Sequence, residues 1–328
     1  MRARILLTLL LVASILAPAS ASTASRPRVA IFFYPWYGTP AHDGVWQHWT
    51  QNGATPPRVI ASNFYPLRGP YSSGDVRTLD AQMREIARAG VDEVVTSWWG
   101  RGSTEDQRLS LVAAAARARG LAVGLHLEPY PKRSAQSVGV DLRYAAGLGV
   151  RDVFVYEAEL IGAEDWATVL PQARNVRVFA HTRLVGWAKR AGFDGIYTFD
   201  ASPTIFRRVC SQARKAKLAC APTVSPGFDA RRAVGTASVQ PRRNGATYDS
   251  RWRAAACARP DLVTISSYNE WHEGTQIEPA TASPPDRRMY QTYNGAYGEH
   301  GRAAQRAYLD RTAYWARRFD RGRACASS

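Results

Sequence analysis

The residues with the most chemistry in the chain stand together at Tyr268-Asn269-Glu270-Trp271-His272-Glu273-Gly274. Two carboxylates three residues apart leave an apolar run, Leu262 to Tyr268, that has the character of a strand. In an irregular loop after a strand, both side chains can face one cleft. Cleaving a glycosidic bond needs such a pair: one carboxyl protonated to release the leaving oxygen, the other ionised to work on the sugar. Crowding two acids beside Trp271 and His272 pushes their pKa values apart and so sorts the two roles. By spacing alone the pair could equally be an N-cap carboxylate and a surface glutamate. A third acid, Glu128 in His126-Leu127-Glu128-Pro129-Tyr130, precedes a proline. Its backbone is therefore extended, and its carboxylate can point across a barrel mouth. Its other reading is a supporting ion-pair partner.

Aromatic and polar side chains recur where other strand-like runs end: Tyr34, Trp36 and Tyr37; Trp98 and Trp99; Tyr130; Tyr156 and Glu157; His181; and Asp200. Aromatic faces stack on the C–H surfaces of sugars, and carboxylates hydrogen-bond hydroxyls. Trp46 and Trp49 read either as a substrate wall or as a loop packed over the core. Nothing in the set resembles a phosphate cradle. His126-x-Glu128 and His272-Glu273 lack the spacing of a zinc site, so no metal and no cofactor is expected. No serine sits in a G-x-S-x-G elbow.

The elements that must position these residues follow from the periodicity. Eight runs read as strands: 28–34, 91–98, 121–128, 152–157, 177–181, 193–199, 218–224 and 262–268. Helical patterns lie between them at 75–89, 103–119, 203–217 and 249–258, and a last helix over 301–318 can close the fold. Eightfold strand–helix alternation predicts an α/β fold, a single-domain (β/α)8 TIM barrel whose active site forms at the C-terminal strand ends. A doubly wound sheet shares the local pattern, but no G-x-G-x-x-G follows the first strand.

Arg2 and Arg4, the 13-residue apolar run Ile5 to Ala17, and Ala19-Ser20-Ala21 form a secretory signal peptide over residues 1–21. Residues 22–328 are then one catalytic domain, secreted to an extracellular or periplasmic space with no stable membrane anchor. In that oxidising space the four cysteines can form two disulfides, of which Cys210–Cys220 and Cys257–Cys325 are the favoured pairs. The net charge of +16 comes from 39 Arg and four Lys scattered among Ala-rich helix patterns. With no basic block, solvated helix faces are expected rather than a nucleic-acid surface. The expected assembly is a monomer.

Several segments, in order, resemble glycoside hydrolase family 99, the endo-α-1,2-mannosidase and endo-α-1,2-mannanase family: FFYPWYGTPAHDGVWQHW, FYPLRGPYSSGD, TSWWG, GLHLEPY, GFDGIYTF and SYNEWHEGTQIEPA. They run from residue 32 to 280. The resemblance implies a (β/α)8 barrel that cleaves internal α-mannosidic bonds of α-mannan or mannose-rich glycans with retention. It also implies that a carboxylate, here Glu270, deprotonates the sugar's own 2-hydroxyl to give a 1,2-anhydro sugar, with Glu273 as general acid and base. The residues alone would make Glu270 a covalent nucleophile. The substrate-binding set implied is Glu128, Tyr34, Trp36, Trp99, His126, Tyr130, Tyr197, Tyr268, Asn269 and His272. Trp rather than Tyr at position 99 points to a mannose rather than a glucose neighbour. The alternative is a non-hydrolytic or transferase-associated relative that binds carbohydrate. His272 and the continuation Thr275-Gln276-Ile277-Glu278 favour the hydrolase.

Overall fold

The computed structural model describes residues 28–325 except 174, 200, 201, 236 and 237. The expected signal segment and Asp200 lie outside the described residues. Eight parallel strands close into a barrel: β1 (Arg28–Phe33), β2 (Glu93–Trp98), β3 (Ala122–Leu127), β4 (Asp152–Val155), β5 (Arg177–His181), β6 (Gly195–Thr198), β7 (Ala219–Val224) and β10 (Leu262–Ile265). The ladder is sequential, and β1 pairs with β10 to complete it, Arg28 opposite Leu262 and Ile31 opposite Ile265. Strands β8 (Phe228–Asp229) and β9 (Val239–Gln240) form a separate antiparallel hairpin after β7.

The observed barrel strands agree in number and place with the sequence reading, but β1, β3, β4, β6 and β10 end one to three residues earlier. Beyond Ile265 the chain bonds to its own loop: Ser267 N–H donates to Thr275 O (3.0 Å), and Ile277 N–H to Ser267 O (2.9 Å). The expected 301–318 helix is broken into α9 (Gly301–Ala304) and α10 (Ala307–Asp320). A short α1 (Pro40–Asp43) lies in the long loop after β1. The outer ring holds α2 (Val76–Arg88), α3 (Thr104–Arg117), α4 (Ala135–Gly147), α5 (Ala163–Val169), α6 (Val185–Ala191), α7 (Phe206–Lys215) and α8 (Ala246–Cys257). Helix α10 fills the last place in the ring: Trp315 stacks on Trp252 of α8 at 6.3 Å, and the helix also packs on α2.

Buried aromatic side chains fill the barrel. Phe154 stacks on Phe179 at 4.8 Å and meets Tyr197 edge-on at 5.3 Å. Gly195 makes room for this layer, because a Cβ there would stand 2.5 Å from the Phe179 ring. The closed end of the barrel is plugged by buried Glu93 and Asp152. Arg28 reaches both (3.0 and 2.9 Å), and Arg177 holds Asp152 with two bonds of 2.7 Å. Side chains on the outer faces of the strands pack under the helices, so each strand is buried on both faces, as parallel strands require. Cys210 is bonded to Cys220 and Cys257 to Cys325. Among the described residues, no helix is long and apolar enough to cross a membrane.

Candidate active site

At the open end, the loop after β10 is built on buried polar side chains. The backbone N–H of Glu270 donates to Ser267 Oγ (2.8 Å), which lies 2.9 Å from Thr275 Oγ1. Asn269 is fully buried and ties the loop to the end of β1. It accepts the Tyr34 N–H (2.8 Å) and donates Nδ2–H to the Tyr34 carbonyl (2.9 Å). Trp271 points inward. Its indole N–H donates to Glu278 (2.9 Å), and its backbone N–H to the Tyr37 hydroxyl (3.1 Å). Glu278 also accepts from Tyr71 (2.7 Å) and Gln82 (2.9 Å) and pairs with Arg68 (3.0 Å). Burial raises the Glu278 pKa, and Arg68 opposes that rise.

Three carboxyl groups gather at the mouth. Glu270 is buried and accepts the His272 backbone N–H (3.0 Å). Burial pushes its carboxyl well above the usual range. Repulsion from Glu273 and Glu128 adds to this, while the backbone amides of His272 and Glu273 favour the ionised form. Glu273, partly accessible, is pushed up to about 7 by burial and by the charge of Glu128. Glu128 comes from the end of β3. It accepts the Ser97 hydroxyl (2.8 Å) and lies 2.9 Å from His126 Nδ1. The Tyr34 phenol is raised by burial and then by Glu128, Glu273 and Glu270, so it keeps its proton among three acids.

One wall is aromatic and uncharged. Trp36 and His48 stack at 4.6 Å, and His48 and His272 at 5.7 Å. Burial lowers both imidazoles to about 4, helped at His48 by Arg108 and at His272 by His48. His272 is fixed by Nε2 against the His48 carbonyl (2.9 Å).

The remaining sequence candidates fall in several places. Trp99 is 38% exposed on the rim, whereas Trp98 is fully buried and donates to Asp106 (2.9 Å). Tyr197 lies fully buried beneath His126, with its hydroxyl 2.9 Å from Nε2. The Tyr130 hydroxyl is committed to α4 through Asp141 and Ser137. Tyr268 faces away from the mouth and donates to Glu85 near the end of α2 (2.6 Å). Trp49 is fully buried and donates to the Tyr71 carbonyl (2.9 Å), so it packs the loop rather than lining a wall. Among the described residues, no group of three or more His, Cys, Asp or Glu could hold a metal ion.

The sequence profile of Glycosyl hydrolase family 99 matches residues 26–321. The chain belongs to that family. A Danio rerio glycoprotein endo-alpha-1,2-mannosidase-like protein is 28% identical over 353 residues, covering 89% of this chain and 78% of its own. The Mus musculus glycoprotein endo-alpha-1,2-mannosidase is 27% identical over 352 residues, covering 89% and 75%. The solved structure of the GH99 endo-alpha-mannosidase from Bacteroides thetaiotaomicron superposes with a TM-score of 0.81 at 28% identity, over 90% of this chain and 98% of that one. This family 99 chain is thus a glycoside hydrolase built on a TIM barrel.

Several side chains that shape the site were not singled out in the sequence: Tyr71, Ser267, His48, and the β8–β9 hairpin with Arg242; Glu278 entered only as part of the Thr275–Glu278 continuation, with no role in the site. Glu278 carried a usable signal. Like Glu128, it is a glutamate placed directly before a proline within a matched segment.

Proposed function

We propose that this protein is a secreted, retaining endo-acting α-mannoside hydrolase that cleaves internal bonds of α-mannan or mannose-rich glycans. One observation carries the reading: Glu270 and Glu273 leave a single braced loop and meet Glu128 in one buried mouth. The names of the relatives supply the sugar. Glu270, whose pKa burial and Glu273 raise against the pull of two backbone amides, takes the proton of the 2-hydroxyl as a strengthened base, and that oxygen attacks C1. Glu273, holding a proton near neutral pH, gives it to the departing glycosidic oxygen. Glu273 then takes a proton from water, the water oxygen opens the 1,2-anhydro ring at C1, and Glu270 returns its proton to the 2-oxygen. Two inversions give retention.

Glu128, oriented by Ser97 and by the His126–Tyr197 pair, binds the mannose at the cleavage point. The neutral Trp36–His48–His272 wall suits a sugar's C–H face. Exposed Trp99 contacts the neighbouring sugar, and mannose is the expected neighbour. Residues 1–21 serve as the signal peptide and 22–328 as the catalytic domain, which works as a monomer with no bound cofactor. The two disulfides support an oxidising destination.

The test is incubation with yeast-type α-mannan and with a glucosylated high-mannose N-glycan, reading the released oligosaccharides by mass. A mannose disaccharide released from mannan, and absent with Glu273→Gln, supports the proposal. Release of glucosyl-mannose alone overturns the Trp99 assignment. No product from either glycan overturns the hydrolytic reading.

A further inference from the structure

The backbone that carries Glu273 is held from behind by the β8–β9 hairpin. On one arm, the Asp229 N–H donates to the Glu273 carbonyl (2.7 Å). Just past the other arm, a single nitrogen of Arg242, Nη2, donates to the carbonyls of Gly274 (2.9 Å) and Gln276 (2.6 Å). The approach is close. Gly274 has φ +62°, and a Cβ there would lie 3.1 Å from the Asp229 carbonyl. Both its left-handed backbone and its lack of side chain are therefore required.

Arg242 is an unusual anchor. Among the described residues it has no carboxylate partner, and its Nε and Nη1 are buried without an acceptor. Its guanidinium lies instead over three rings: Tyr308 at 4.5 Å, Phe64 at 4.7 Å and Tyr293 at 4.9 Å. Tyr293 in turn donates to the Gln276 and Glu278 carbonyls (3.1 and 3.0 Å). Rings inclined to one another (Phe64 and Tyr293 by 52°, Tyr293 and Tyr308 by 73°) box in the planar guanidinium, and that cage fixes where Nη2 can donate. Lysine carries the same charge on a flexible stem without that plane.

We propose that Arg242 is a positioning residue for the general acid: it sets the Gly274–Gln276 backbone and, through it, the place of the Glu273 carboxyl at the mouth. This rests on the acid role assigned to Glu273 above. If the role holds, the effect of Arg242 should depend on how much the leaving group needs a proton.

The experiment compares wild type, Arg242→Lys, Arg242→Met and Glu273→Gln on two donors. One is a mannan oligosaccharide. The other is the same glycosyl unit carrying fluoride, which departs without protonation. A carboxyl misplaced by about an ångström costs on the order of 100-fold. The expected kcat/KM loss for Arg242→Lys is therefore about 10- to 100-fold on the oligosaccharide and less than about threefold on the fluoride, the pattern expected of Glu273→Gln in milder form. Equal losses on both donors, or no loss on either, overturn the proposal. If Glu273→Gln itself shows no leaving-group dependence, the acid assignment fails instead.

A second readout needs no substrate. The difference in melting temperature between Glu273 and Glu273→Gln at pH 8 should shrink when both are placed on Arg242→Lys, because a displaced carboxyl regains solvent. An unchanged difference overturns the proposal whatever sugar the enzyme cleaves. Arg242→Met, which keeps bulk without charge, should lose at least as much as Arg242→Lys. If Arg242→Met fails to fold, Arg242→Lys carries both readouts.

Discussion

Replacing Glu273 by Gln should make the folded protein more stable at pH 8 while removing its activity. Burial and the charge of Glu128 push the Glu273 carboxyl from an ordinary value of 4.5 up to about 7. The native state therefore holds this proton more tightly than the unfolded chain does. Between those two values the wild type loses stability as pH rises, and above both the loss is complete. Each tenfold difference in proton affinity is about 1.4 kcal/mol, so the full penalty is about 3 kcal/mol. Glu273 is partly accessible, which lowers the working figure to about 2 kcal/mol. At about 2 cal/mol/K per residue over roughly 300 residues, that is about 3 °C in Tm. Glutamine does not titrate. The assay is calorimetric melting of both proteins from pH 4 to pH 8.5. The two should differ least near pH 4, the variant should gain between pH 4.5 and 7, and the difference should then level off. A difference that does not change with pH, or that grows in favour of the wild type, would refute the reasoning that the mouth strains this carboxyl.

The acid must be protonated in the free enzyme, so kcat/KM on unactivated oligosaccharides should fall as pH rises through about 7. The fall should be absent on a glycosyl fluoride, as a pH–rate comparison would show. Glu278→Ala leaves three buried hydrogen-bond donors without this acceptor and Arg68 with Glu85 as its remaining carboxylate partner. Denaturant titration should show a loss of about 3–5 kcal/mol. The disulfides close loops of different length, with sequence separations of 68 for Cys257–Cys325 and 10 for Cys210–Cys220. Loop-closure entropy gives about 4 against about 3 kcal/mol. Replacing Cys257 and Cys325 by Ser should therefore lower Tm more than replacing Cys210 and Cys220.

The barrel was legible in the sequence because parallel strands buried on both faces leave runs of apolar and β-branched residues, such as Val29 to Phe33 and Leu262 to Ile265. The acids were legible for a related reason: Glu128, Glu270 and Glu273 follow such runs, where a barrel places its chemistry. What stayed hidden was direction. Inside a ladder, alternate residues face opposite sides, but the rule stops where pairing stops. Tyr268 lies just beyond the ladder and turns out toward Glu85, while Asn269, one residue on, turns in to clamp β1. The Tyr130 hydroxyl was taken by Asp141, eleven residues further along the chain, which no local pattern announces. The hairpin was hidden because two-residue strands amid arginines and prolines carry almost no periodic signal.

Asn269 binds both backbone groups of Tyr34, and the two residues lie 235 positions apart. The end of the first strand and the acid loop are thus joined through this side chain, and the loop takes part of its reference from that join. A chain whose first strand is missing or not yet docked has no such reference for Glu270. Hydrolysis is thereby a property of the finished barrel alone. Turnover can serve as a direct report of closure, measurable during refolding without any spectroscopic label.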